Sequence, residues 1–189
     1  MRASPSHLSG ALRPGLVVWF TGLPSSGKST LAAQVHARLL QRGRACCVLD
    51  GDAVRAAIVP RPGYTAEARD AFYATLARLA ALLARQGLVV LVPATAHRAA
   101  YRAEARALAP AFVEVYVEVD AAECARRDDK GLYAAVDHGD AKGLPGRDLA
   151  YEPPVQPELV AHGGLDLAAV TSILTRIDAR IDATKGAVP

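Results

Sequence analysis

Apolar residues in this chain gather in short unbroken runs, separated by longer stretches where they recur every three or four positions. LVVWF (Leu16–Phe20) and LVVLV (Leu88–Val92) are continuous runs of the kind shown by strands buried on both faces of a parallel sheet. ACCVLD, residues 45–50, reads as another buried strand and ends at Asp50. FVEVYVEV (Phe112–Val119) alternates, with valines on one face and glutamates on the other. Helical patterns lie between these runs. Lys28–Arg42 is closed by Gly43, in the position glycine favours after a helix. Thr65 can cap a helix with Phe72, Leu76, Leu79 and Leu83 on one face, ended by Gly87. Arg98–Ala109 is stopped by Pro110, and Asp166 can cap a last helix carrying Leu167, Val170, Leu174, Ile177 and Ile181 along one stripe. This alternation of strand and helix predicts an α/β fold, a mainly parallel sheet flanked by helices.

Two segments depart from the pattern. From about Arg127 to Pro157 the chain is rich in Gly, Pro, Asp and Lys, with little apolar periodicity. A stretch of this length inside a compact domain is a lid or a disordered insert. Residues 1–14 lack the apolar core of a signal peptide and read as a mobile tail on a cytoplasmic protein. Residues 15–189 then form a single domain with a lid at about 127–157.

The chemistry starts where the first strand ends. TGLPSSGKST holds Gly22 and Gly27 five apart, with Lys28 and Ser29 directly after the second glycine. The spacing G-x-x-x-x-G-K-S between a strand and a helix is a phosphate loop, or P-loop. Its backbone N–H groups curl around an anion at a helix N-terminus. Lys28 would reach the β- and γ-phosphates, and the Ser29 hydroxyl would ligate Mg²⁺. With this loop present, the segment at 127–157 reads better as a mobile lid closing over nucleotide. Its Arg127, Lys130, Lys142 and Arg147 could together neutralise polyphosphate charge and exclude water.

LDGD places Asp50 at the carboxyl end of the second strand, where ligands of open α/β sheets gather, with Asp52 just beyond. These carboxylates can order Mg²⁺ or take a proton from an attacking hydroxyl, whereas the plain alternative is that Asp50 caps the next helix. Arg98, Arg102 and Arg106 form a row whose usual meaning is a solvated helix face. His97 reads as structural.

Composition narrows the partners. A net charge of +3 is too small to argue for nucleic acid, and no apolar run approaches the ~18 residues of a membrane span. Cys46, Cys47 and Cys124 are too few, and wrongly spaced, for a disulfide framework or a cysteine-rich zinc site.

WFTGLPSSGKST, LDGDAVR, FVEVYVEVD, CARRDDKGLY and YEPPVQPEL follow one another in that order. Together they resemble the adenylyl-sulfate (APS) kinases, which transfer the γ-phosphoryl group of ATP to the 3′-hydroxyl of APS and make PAPS. The likeness spans roughly Gly15 to Ile181, and RRDDKGLY with YEPP is far more specific than the phosphate loop. The resemblance implies a P-loop NTPase-type fold with ATP and APS as partners, Mg²⁺ as cofactor, and commonly a homodimer. It implies that Gly22, Leu23, Pro24, Ser25, Ser26, Gly27, Lys28, Ser29 and Thr30 hold the ATP phosphates, with Ser29 and Asp50 at the metal. Arg127 and Lys130 match lid positions near the nucleotide, and Asp50 and Asp52 match paired aspartates near the acceptor hydroxyl. Arg55, Arg69 and Lys142 match residues that contact APS, and Tyr64 replaces a phenylalanine that stacks on its adenine. Thr95 falls on a serine of the family and has a polar positioning role.

The departures concentrate on the acceptor side. Phe72 stands where the family has asparagine, Ala74 where it has arginine, and Leu144 where it has a second stacking phenylalanine. Phe72 either joins the core stripe or supplies an aromatic surface opposite Tyr64. The leading reading is an APS kinase. Beside it stand a kinase of the same fold acting on another nucleotide-linked or small hydroxyl acceptor, and a non-catalytic nucleotide-binding module. Intact Lys28, Ser29, Asp50 and Asp52 speak against the last.

Overall fold

β1 (Leu16–Thr21) is buried along its whole length because strands flank it on both sides and helices cover both faces. The computed structural model describes residues 13–185, so all but two residues of the expected tail lie outside the described residues. Five described strands run parallel in the order β2–β3–β1–β4–β5, with β2 at Cys46–Val48, β3 at Val89–Pro93, β4 at Phe112–Val117 and β5 at Leu159–Ala161. The helices are α1 (Lys28–Gln41), α2 (Gly51–Ala57), α3 (Ala66–Arg85), α4 (Ala99–Leu108), α5 (Ala121–Arg126), α6 (Leu132–Asp137) and α7 (Leu167–Lys185).

Successive strand residues point to opposite faces, which splits the core into two layers. Leu16, Val18 and Phe20 pack with Leu31, Val35 and Leu39 of α1 and with Ile173, Leu174 and Ile177 of α7. Val17 and Trp19 pack with Phe72, Leu76 and Ala80 of α3 and with Tyr101 and Ala105 of α4. No helix among the described residues is long and apolar enough to cross a membrane.

Several expectations need correction. The run at 45–50 is not a buried strand: β2 is three residues long and forms the sheet edge, leaving Cys46 and Cys47 only half-buried. The buried face of α3 follows Phe72, Leu76, Ala77, Ala80 and Ala84 and leaves Leu79 exposed, because alanines admit the closest helix approach to the sheet. Leu167 is exposed at the start of α7. β5 is too short to leave a periodic signal. The segment at 127–157 is not without apolar order: Tyr133 and Leu144 join Cys124 in a small cluster against Leu23, Val119 and Val136.

Arg102, in the middle of the arginine row, is the largest correction, while Arg98 and Arg106 keep much of their side chains in solvent. Arg102 is 3% exposed, with Nε donating to Glu114 Oε1 at 2.7 Å. Its Nη1 and Nη2 donate to the carbonyls of Ala96 and Glu152. Arg106 grips Glu158 with both terminal nitrogens, and Glu158 accepts the Glu114 backbone N–H. Glu114 is therefore buried in a polar cluster joining α4, β4 and the approach to β5, whereas Glu118, just beyond the end of β4, is exposed. Stripping one partner from such a buried pair costs about 3–5 kcal/mol.

Candidate active site

The carboxyl ends of the strands converge on one cavity of about 1200 Å³. β1 sits where the chain order reverses, between β3 and β4, and the loop that follows it lies at this switch point. In that loop Gly27 adopts φ 96°, a conformation that favours glycine, and α1 starts at the next residue. A Cβ on Gly27 would lie 2.4 Å from the Gly164 nitrogen, and one on Gly164 only 2.7 Å from the Thr30 Cβ. The phosphate loop and the chain after β5 thus meet backbone to backbone.

Lys28 is 9% exposed, and its Nζ donates to the carbonyls of Gly22 at 3.1 Å and Leu23 at 2.6 Å. Removal from water pulls its ammonium down to about 8, against the opposing attraction of Asp52 and Asp50. The next residue, Ser29, donates from Oγ to Asp50 Oδ2 at 2.6 Å. Asp50 Oδ1 accepts the N–H groups of Asp52 and Ala53, capping α2. The cap therefore uses one oxygen of Asp50 and leaves the other turned to Ser29. Ser29 and Asp50 present adjacent hard oxygen donors, a set that suits Mg²⁺.

Asp52 projects from the first turn of α2 and takes Lys130 Nζ at 2.6 Å in an exposed pair. Arg127 is held by Glu123 one helical turn before it and lies near Gly163. The Tyr133 hydroxyl donates to the Pro24 carbonyl at 3.1 Å, tying α6 to the phosphate loop.

Arg55 and Arg69 form the opposite wall, at 4% and 7% exposure. Arg55 donates to Gly63 O at 2.7 Å, and Arg69 to Tyr64 O at 2.9 Å and Gly143 O at 2.7 Å. Tyr64 and Lys142 are exposed at the rim. Phe72 is buried at the cavity wall, and Leu144 lines the cavity while packing on Cys124 and Tyr133. Thr95 is half-buried on the wall, and its carbonyl accepts the Thr21 hydroxyl at 2.7 Å. Each sequence-predicted side outside the phosphate loop thus reaches the same cavity. Within the loop, Pro24, Ser25 and Gly27 to Thr30 line the space, whereas Gly22, Leu23 and Ser26 do not, and the fully buried Ser26 hydroxyl has no hydrogen-bond partner among the described residues.

The family model described as adenylylsulphate kinase matches residues 14–162. The chain belongs to this family. A probable adenylyl-sulfate kinase of Synechocystis is 38% identical over 152 residues, covering 80% of this chain and 86% of that protein. The bifunctional enzyme NodQ of a Rhizobium species is 43% identical over 145 residues, which is 76% of this chain but 22% of the relative. Among solved structures, the Mycobacterium tuberculosis APS kinase CysC in complex with AMPPNP and APS superposes with a TM-score of 0.81 at 35% identity, covering 87% of this chain and 98% of that one.

Membership leaves the local chemistry to be read from the chain itself. Sequence reasoning missed His162 to Asp166, which line the cavity beside Gly27 and Thr30. Gly163–Gly164 directly after the apolar LVA was the available signal, a flexible turn at a strand's carboxyl end. It also missed Tyr73, which accepts the Ala96 N–H at 3.0 Å, and Tyr151, whose hydroxyl meets Thr21 Oγ1 at 3.0 Å. Since Thr21 already donates to Thr95, Tyr151 is the donor in that pair. Both fix the wall carrying Thr95. His97 is buried against Tyr73 and Tyr101, and its burial lowers its pKa.

Proposed function

We propose that this protein transfers the γ-phosphoryl group of ATP to the 3′-hydroxyl of adenylyl sulfate, forming PAPS and ADP. The observation that carries this reading is the pairing of two opposed walls. Lys28, Ser29, Asp50 and Asp52 meet on one, and two buried guanidiniums with no carboxylate partner among the described residues stand on the other. The first suits a metal-bound triphosphate, and the second an acceptor carrying anionic groups of its own.

The acceptor oxygen bonds to the γ-phosphorus as the bond from that phosphorus to the ADP oxygen breaks. Both oxygens of Asp50 are committed, to Ser29 and to the α2 cap, whereas Asp52 is held only by an exposed lysine. Asp52 is therefore the group that takes the hydroxyl proton, and Asp50 belongs with Ser29 on the metal side. Ser29 and Asp50 would hold Mg²⁺, which would supply positive charge against the phosphates. Lys28 supplies fixed positive charge to the same oxygens, with no covalent intermediate required.

A coupled assay of ATP consumption with APS, against a panel of other hydroxyl compounds, tests the reading. Mg-dependent turnover with APS well above every other acceptor is the expected result. Turnover with a different acceptor alone would establish the second reading, which Phe72 and Leu144 on the acceptor wall favour. No ATP consumption beyond background with any acceptor would overturn both.

Residues 127–157 act in this reading as a lid. Its support is that Lys130 and Tyr133 already reach Asp52 and Pro24 from that segment. Amide exchange there should slow when AMPPNP and APS are added together. Equal exchange in the free and doubly liganded protein would remove the lid from the mechanism.

A further inference from the structure

Arg55 is a buried cation that forms no ion pair among the described residues, with Asp52 attracting it only from a distance. Its Nη1 donates to Gly63 O and, at 3.4 Å, to Pro62 O, while Nε and Nη2 make no hydrogen bond among the described residues. A buried charge of this kind is costly unless something else compensates it. The compensation here is aromatic. The guanidinium carbon lies 3.8 Å from the centroid of the Phe72 ring and 4.6 Å from that of Tyr64. Phe72 is 3% exposed, and the face it turns to Arg55 is covered.

We propose that Phe72 is a positioning residue for the acceptor, acting through Arg55. Its ring seats the guanidinium at 3.8 Å, holding the uncommitted Nε–H and Nη2–H donors for the anionic group of the acceptor. It does not stack on the acceptor itself, since the ring face is occupied. This deepens the proposed function and rests on it for the identity of the acceptor. It also explains the ring at a position where the resemblance implied an amide: the protein holds its arginine by a ring face.

A variant cycle between the two residues provides the test, with Phe72→Leu preserving apolar volume in the core. Phe72→Leu should raise the KM for APS about three- to thirtyfold, the size of a desolvated cation–π contact. Its kcat and the KM for ATP should stay within about threefold, because nothing on the nucleotide wall moves. In an Arg55→Ala background, Phe72→Leu should add nothing. An unchanged KM for APS in the single variant would overturn the proposal, as would the same increment in both backgrounds.

A second measurement needs no change at Phe72 and no acceptor. In the wild type, the Arg55 Nε–H resonance, identified by its loss in Arg55→Lys, should be displaced by the ring currents of Phe72 and Tyr64, and should stay displaced in Tyr64→Leu, where only the Phe72 ring remains. A resonance at the position of a free arginine would overturn the proposal by itself. A displaced resonance in a protein that turns over no APS would instead overturn the proposed function and leave the seat standing.

Discussion

Lys28→Met is expected to lower turnover at saturating Mg·ATP and APS by at least about a hundredfold, the scale seen when one preorganised transition-state donor is removed. The buried ammonium is held against its own loop by two carbonyls, so its charge has little freedom to reorient. Methionine retains the stem and removes the charge. The same substitution should stabilise the fold at neutral pH. Burial lowers the Lys28 pKa from its ordinary 10.5 to about 8. Between those values the unfolded chain binds the proton that the folded chain has released, so stability rises with pH across that window. Below about pH 8 both states are protonated, and the wild type bears the full cost of a buried charge, on the order of 3 kcal/mol. Urea unfolding should therefore show Lys28→Met more stable at pH 7, with the gap closing toward pH 10.5. Turnover within a few-fold of wild type would refute the phosphate-site role. A stability gap unchanged between pH 7 and pH 10 would refute the buried, charge-shifted state.

Asp50→Asn and Asp52→Asn should each lower kcat by about 10²–10⁴ while changing nucleotide affinity far less, and for different reasons. Asparagine at 50 can still accept the α2 cap but brings no negative charge to Ser29 and the metal. Raising the Mg²⁺ concentration should recover part of the loss in Asp50→Asn. At 52 the amide cannot take a proton, so excess metal should recover nothing in Asp52→Asn. The lost partner of Lys130 is an exposed one, and stability should change by less than about 0.5 kcal/mol. Single-turnover rates and calorimetric titration with AMPPNP measure the two halves of this expectation. Equal recovery by Mg²⁺ in both variants would remove the division of labour between the two aspartates.

The parts of this molecule legible in its sequence are those carried by short-range patterns. The phosphate loop declares itself within eight residues, and β1 and β3 are apolar runs that any parallel sheet would bury. The Thr65, Asp50 and Asp166 caps follow from polar residues placed just before helices, and each accepts the expected backbone N–H. Interactions between distant segments leave no such trace. Arg102 sits in a row that reads as solvated until β4 brings Glu114 beneath it. Phe72 has the spacing of a core residue and of an acceptor-side residue at once, and one periodicity cannot separate them. Its contact with Arg55 depends on how α2 leans on α3, which no local pattern encodes. β5 is missed because three residues cannot display alternation.

The close seam between Gly27 and Gly164 bears on how such a protein can change over generations. It is made of backbone, and no side chain can be accommodated on either residue without displacing the other strand of the seam. Mutation at these positions has only one direction, toward loss, so the nucleotide wall offers few neutral paths. The facing wall is built from Arg55, Tyr64, Phe72 and Leu144, whose side chains can be exchanged singly without disturbing that seam. Novelty in this fold therefore has a preferred address, and a laboratory search for new acceptors would sample α2, α3 and the loop at 142–144 while leaving both glycines untouched.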